Sequence, residues 1–282
     1  MRGVVGGAMV AALEERGLLR AFDSIHGSSA GACAAAYFST GQARLGVRIF
    51  YEDINNRTFV DPWRLLRLRP VIDKDFLIDC VMRKRKVLNA ADILNRPGFL
   101  NIITTDSDTG REVKFNQFRS VDQLFQVLKA TVCMPVLGGP AVEIDGLHLF
   151  DGGMVQQIPI GSAIEAGATH VIVLMTRKAN RLFRKSRNRM CDPHREVVRL
   201  IYGNTIADLF RHRNDNINAV LEEISLGSSP SGARIDAIVR SAGATDFSRF
   251  TTDAEVLKNV DSESREAIFG YIDDLDAKSN IS

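Results

Sequence analysis

The sequence predicts an α/β fold, a mostly parallel sheet held between helical layers, and three observations carry that expectation. Short β-branched runs alternate with longer helix-forming runs along most of the 282 residues. Hydrophobic residues make up 45% of the chain and charged residues 25%, enough apolar material for a sizeable core. Neither an internal repeat nor a Gly/Pro/Ser-rich linker divides the chain, so residues 1–282 read as one domain.

Each element has a local reason. The apolar run from Gly3 to Leu13, with Arg2 ahead of it, imitates a secretory signal. Glu14 and Glu15 follow at once, however, and no small-residue cleavage site appears. A helix over about 7–16, stopped by Gly17, is the better reading. "AFDSIHG" then reads as a short buried strand, and "AGACAAAYFSTG" as a helix ending near Gly41. Residues 42–95 read as mostly helical, broken at Pro62 and Pro70. "FLNIITTDSDTGREVKFN" has the turn chemistry of a β-hairpin. "SVDQLFQVLKATVCMP" is an amphipathic helix with Ser120 as N-cap and Pro135 as stop. "AVEIDGLHLFDGG" gives a second hairpin, turning at Asp145-Gly146. "SAIEAGA" is a helix that feeds "THVIVLMT", a strand predicted to be buried on both faces. Residues 177–195 read as a polar, basic loop. A long helix over 200–225, the strand "RIDAIVR" and a helix over "SESREAIFGYIDDLDAK" complete the pattern.

Charge and cysteine usage narrow the function. A net charge of +2 argues against binding nucleic acid through overall charge. Cys33, Cys80, Cys133 and Cys191 form no CxxC pair and no metal-ligand spacing, so they read as reduced thiols of a cytoplasmic protein. No run of 18 apolar residues is present to span a membrane.

Gly27-Ser28-Ser29-Ala30-Gly31 matches G-x-S-x-G between a strand and a helix, the pattern of a nucleophile elbow. A turn that sharp strains the serine backbone, and the expectation is that Gly27 and Gly31 avoid collisions between strand and helix. The hydroxyl of Ser29 would then stand at a helix N-terminus, with the Ala30 amide aimed where an oxyanion forms. A serine nucleophile needs a base. His26 precedes the elbow and points away from Ser29, into the sheet or a neighbouring layer. His148, His170, His194 and His212 stand in no motif. The better partner is Asp151 in "LFDGGMVQQIP", where Gly152 and Gly153 allow tight turning and close backbone approach. A Ser29–Asp151 hydrolase would in turn need no metal or organic cofactor. A Ser-His-Asp esterase is the alternative, and it would tie activity to one histidine.

Taken together, these motifs resemble the patatin-like phospholipase family. "GVVGGAMVAALEERGL" is similar to that family's first helix, "KATVCMP" to its small-residue segment, and "DGGMVQQIPI" to its dyad loop. The resemblance covers about residues 1–180, while 181–282 diverge. It implies a three-layer α/β/α fold and hydrolysis of lipid acyl esters by a Ser–Asp dyad without histidine. Ser29 would be the nucleophile, Asp151 the base, and Gly152 and Gly153 the dyad loop. Family members also carry a G-G-G-x-R-G loop whose amides help form the oxyanion hole, and here Met1-Arg2-Gly3 match only its last three positions. The expectation is therefore a chain shortened at its N-terminus, without the first strand and most of that loop. Losing one oxyanion donor costs about 10²–10³ in rate, so a catalytically impaired lipid-binding or scaffold protein is a further alternative.

Two stretches suggest peripheral contact with an anionic membrane surface. "DPWRLLRLRP" places Trp63, Leu65, Leu66 and Leu68 beside Arg64, Arg67 and Arg69. "RKANRLFRKSRNR" holds Arg177, Lys178, Arg181, Arg184, Lys185, Arg187 and Arg189 and no acid.

Overall fold

A computed structural model describes residues 1–67, 69–181 and 192–279. Its centre is β2 (Leu100–Asp106), a strand buried at all seven positions. Three strands pair with it directly. β1 (Ile25–Ser28) pairs with it in parallel, placing Ser28 opposite Ile103. β3 (Glu112–Phe115) and β5 (Leu147–Asp151) pair with it antiparallel, and the latter register sets Asp151 opposite Thr104. β4 (Val142–Ile144) closes the second hairpin on β5. A separate parallel pair joins β6 (His170–Lys178) to β7 (Arg234–Arg240). The strands joined by helical crossovers are thus parallel, and the two hairpins add antiparallel ones. Burial of Ile102 and Ile103 on the central strand contributes about 1.5–3 kcal/mol per side chain.

Helices α1 (Gly3–Glu15), α2 (Ala30–Ser39) and α3 (Ala43–Glu52) pack against one another, and α2 packs against β1 and β2. α4 (Ala90–Leu94) and α5 (Val121–Thr131) follow, then α6 (Ile160–Glu165), α7 (Asp192–Leu226) and α8 (Ala254–Ser279). Ser120 caps α5 as expected, its hydroxyl accepting from the Gln123 amide at 3.1 Å. The turn of the second hairpin also falls at Asp145-Gly146, both with positive φ (55° and 79°).

Several expectations need correction. α1 starts at Gly3 and not near Gly7, and Gly3 serves close packing: a Cβ there would stand 2.7 Å from that of Ala30. The stretch 42–95 is only partly α-helical. Beyond α3 it holds a 3-10 turn over Pro62–Arg67, a wide π-helix over Phe76–Arg85 and the short α4. β6 is not buried on both faces, since His170 and Thr176 are exposed. The long helix begins at Asp192 and is broken at Gly203, whose φ of 83° and ψ of 176° cannot continue a helix.

Candidate active site

The site forms where β1 hands over to α2. Ser29 has φ 55° and ψ −136°, a conformation that stores about 1–3 kcal/mol and persists only when its surroundings hold it. Gly27 makes the turn possible, since a Cβ there would lie 2.7 Å from the Ala32 backbone. Gly31 does not have the same task. A Cβ at Gly31 would meet open space, so the expected symmetry of the two glycines fails.

Thr131, at the end of α5, pins the turn. Its fully buried hydroxyl accepts from the Ser29 amide at 2.9 Å and donates to the Ile103 carbonyl at 2.6 Å. The residue lies inside "KATVCMP", but this relay is tertiary and left no mark in the pattern of the sequence.

Asp151 ends β5 and turns back toward the elbow. The Ser29 hydroxyl donates to Asp151 Oδ2 at 2.7 Å, across 122 residues of sequence. The other carboxylate oxygen, Oδ1, accepts from the Gly153 amide at 2.7 Å. The Thr105 hydroxyl holds the Asp151 carbonyl at 2.9 Å, and the Asp151 amide donates to Cys133 at 2.9 Å. Gly152 is required by closeness, because a Cβ would fall 2.1 Å from the Ile103 carbonyl oxygen. Burial raises the Asp151 carboxyl above the ordinary carboxylate range. The bonds from Ser29 and Gly153 and the nearby Arg213 guanidinium oppose that shift. Arg213, on α7, donates from Nε to the Gly153 carbonyl at 3.1 Å and so braces the turn that follows Asp151. The sequence showed it only as one of several arginines on a long helix.

Two helix N-termini meet at Ser29. The Ala30 amide opens α2, and the first turn of α1 brings Arg2 and Gly3 alongside. First-turn amides have no intrahelical acceptor, and Ser29 stands at the N-terminus of α2, where the positive end of the dipole lies. The Met1 amine donates to the Arg249 carbonyl at 2.6 Å, and burial first, then Arg249 and Arg2, push its pKa down to about 5. An apolar cavity of about 240 Å3 opens from Ser29 and Ala30. Its walls come from α1, α2 and α3 and from Phe59, Val60, Ile72, Leu77 and Met82.

The histidines stand elsewhere. His26 lies between the Ser24 and Ser162 hydroxyls, 3.0 Å from each, and burial first, then Lys114, pushes its pKa down to about 4. His148 meets Asp108 at 3.2 Å, His170 meets Asp236 at 2.9 Å, and His212 meets Asp215 at 3.8 Å. The side chain of His194 is outside the described residues, as are Leu68, Arg184, Lys185, Arg187, Arg189 and Cys191. Of the second basic stretch, Lys178 is buried and paired with Asp246 at 2.9 Å, so it is not an exposed charge.

The model of the patatin-like phospholipase family matches residues 1–164, more than half of the chain. A curated protein of Escherichia coli K12, named "Uncharacterized protein YjjU", is 25% identical over 158 residues. That similarity covers 55% of this chain and 43% of the relative, so the chain spans less than half of that protein's length.

Proposed function

The chain belongs to the patatin-like phospholipase family, and from that premise we propose that it hydrolyses lipid acyl esters with Ser29 as nucleophile and Asp151 as general base. One observation carries the reading: the Ser29 hydroxyl donates to a buried carboxylate at 2.7 Å. A carboxyl with a raised pKa is a stronger base than an exposed aspartate.

In this mechanism Asp151 takes the Ser29 proton as Oγ attacks the ester carbonyl. The amides of Ala30, Arg2 and Gly3 receive the oxyanion. Collapse expels the alcohol, which takes the proton from Asp151 and leaves an acyl-Ser29 ester. Water then gives a proton to Asp151 and attacks the acyl carbon. The second collapse frees the acid and returns the proton to Ser29. Arg213 and Gly153 keep the carboxylate in line. The apolar cavity takes the acyl chain.

The substrate reaches the site from a membrane surface in this proposal. Trp63, Leu65 and Leu66 are 67%, 51% and 79% exposed on a segment tied at its base by the Val60–Ile72 bridge, and both bridge residues line the cavity. Arg67 and Arg69 flank them, whereas Arg64 is held by Asp73 and by the Arg57 and Thr58 carbonyls. Among the described residues no helix is long and apolar enough to cross a membrane. Free thiols at Cys33, Cys80 and Cys133 support the cytoplasmic placement that goes with this reading.

A panel of acyl esters tests the proposal, with Ser29→Ala, Asp151→Asn and single histidine variants as controls. Loss of turnover in the first two and retention in the histidine variants is expected. Loss in a histidine variant with a mild Asp151→Asn would instead establish a Ser-His-Asp esterase. Co-sedimentation with anionic liposomes that weakens in high salt is expected for the surface segment, and absence of binding would remove that part.

A further inference from the structure

Part of the cavity wall is a short strap, residues 134–139, that stands in a conformation its own sequence disfavours. Met134 and Leu137 line the cavity that Ser29 and Ala30 also line. Between them Val136 has φ 71°, a left-handed value that a β-branched residue keeps only when its surroundings hold it there. The strap closes on itself where the Gly138 amide donates to the Met134 carbonyl at 2.7 Å. Its far side is tied by the Ile72 amide to the Leu137 carbonyl and by Lys74 Nζ to the Gly138 carbonyl, both at 2.8 Å. The bond at the strained residue itself comes from α7. There the Val136 amide donates to the Tyr202 hydroxyl at 2.9 Å, across 66 residues of sequence. The Tyr202 ring meets Phe150 edge-on, with centroids 5.6 Å apart, one position before the break at Gly203. α7 thus reaches the site twice, through Tyr202 at the strap and through Arg213 at the turn after Asp151.

We propose that Tyr202 is a positioning residue that sets the shape of the acyl cavity, and with it the acyl chains the site accepts, by holding Val136 in its left-handed conformation. This rests on the hydrolase reading above and adds a determinant of its chain selectivity. Without the hydroxyl, the Val136 amide loses its acceptor and nothing offsets the strain, so the residue relaxes toward negative φ. Met134 and Leu137 stand within two residues of Val136 and shift with it. The Ser29–Asp151 pair keeps its own supports, the Thr131 hydroxyl and the Gly153 amide. An acetyl group fills little of a cavity of about 240 Å3, whereas a dodecanoyl chain packs against its walls. Loss of the Tyr202 hydroxyl therefore falls on long chains and spares short ones.

Turnover of nitrophenyl acetate and nitrophenyl dodecanoate is measured on the full chain as wild type, Tyr202→Phe, Val136→Gly and the double variant. Tyr202→Phe keeps the ring against Phe150 and removes only the hydroxyl. It should raise KM for the dodecanoate about fivefold, the size of one neutral hydrogen bond. The acetate KM, and kcat on both esters, should stay within about twofold of wild type. Glycine holds a positive φ without strain, so in the Val136→Gly background the Tyr202→Phe step should shrink to about twofold or less. Equal losses on both esters would make Tyr202 a general support of the fold and overturn the proposal. An unchanged dodecanoate KM, or a full fivefold effect in the Val136→Gly background, would overturn it too. Calorimetric binding of a dodecanoyl amide, which is not turned over, to the same chains separates the two readings. Turnover that is lost in Ser29→Ala, with Tyr202→Phe leaving dodecanoyl KM and amide affinity unchanged, sinks the strap alone. Amide binding weakened about fivefold by Tyr202→Phe, without any turnover that depends on Ser29, sinks the hydrolase alone.

Discussion

Replacing Thr131 by valine keeps the shape of the side chain and removes the hydroxyl that holds the elbow. Two contacts go with it: the bond from the Ser29 amide at 2.9 Å and the bond to the Ile103 carbonyl at 2.6 Å. A buried donor left without an acceptor costs about 1–3 kcal/mol, and the lost second bond adds about 1 kcal/mol. We therefore expect Thr131→Val to lower stability by about 2–4 kcal/mol. The strained φ of 55° at Ser29 also loses its anchor, and displacing a nucleophile by an ångström costs about 10²-fold in rate. Urea unfolding monitored by circular dichroism reads the first effect, and kcat/KM on a soluble acyl ester reads the second. Thr131→Ser retains the hydroxyl and should recover most of both. A Thr131→Val chain within about 0.5 kcal/mol of wild type and within about twofold in kcat/KM would refute the reasoning.

The two elbow glycines should separate in the same assays. Gly27→Ala drives a Cβ to 2.7 Å from the Ala32 backbone and should abolish activity or folding, whereas Gly31→Ala enters open space at the start of α2 and should leave folding intact. His26 gives a pH signature. Its folded pKa of about 4 lies below the ordinary 6.5, so the unfolded chain binds the extra proton first on acidification. Its contribution is complete above pH 6.5 and is lost as pH falls toward about 4. The stability difference between wild type and His26→Gln should therefore slope across that window, and a flat difference would contradict the buried, neutral ring. In the proposed mechanism Asp151 must be deprotonated, and its pKa is raised by burial. The acid limb of kcat/KM should therefore lie above the range of an ordinary aspartate, and removing the Arg213 charge with Arg213→Gln should move it higher still.

The parts of this fold that were legible in the sequence are those whose cause is local. The Asp145-Gly146 turn, the Ser120 cap and the strand–turn–helix around Ser29 each follow from a few adjacent residues. The aspartate before Gly152-Gly153 was legible because its glycines and preceding apolar strand mark a tight return of the chain. Contacts between distant segments were not. Thr131 and Arg213 act on residues 102 and 60 positions away, through a hydroxyl and a guanidinium that are unremarkable in their own helices. The helix expected over about 7–16 begins at Gly3 instead, because burial of Val4, Val5 and Ala8 outweighs a propensity cost of about 1 kcal/mol per glycine. The helix expected over 200–225 contains Gly203, whose positive φ breaks α7. The exposed positions of β6 were hidden by its β-branched composition, which suits a half-covered strand as well as a fully covered one.

The central claim is that Ser29 becomes a nucleophile because the Asp151 carboxylate takes its proton. Reaction with a fluorophosphonate ester, followed by intact-mass analysis and peptide mapping, tests it directly. The account predicts a single adduct on the peptide that contains Ser29, absent in Ser29→Ala and formed far more slowly in Asp151→Asn. An adduct on another residue, or labelling of Ser29 at an unchanged rate in Asp151→Asn, would contradict it.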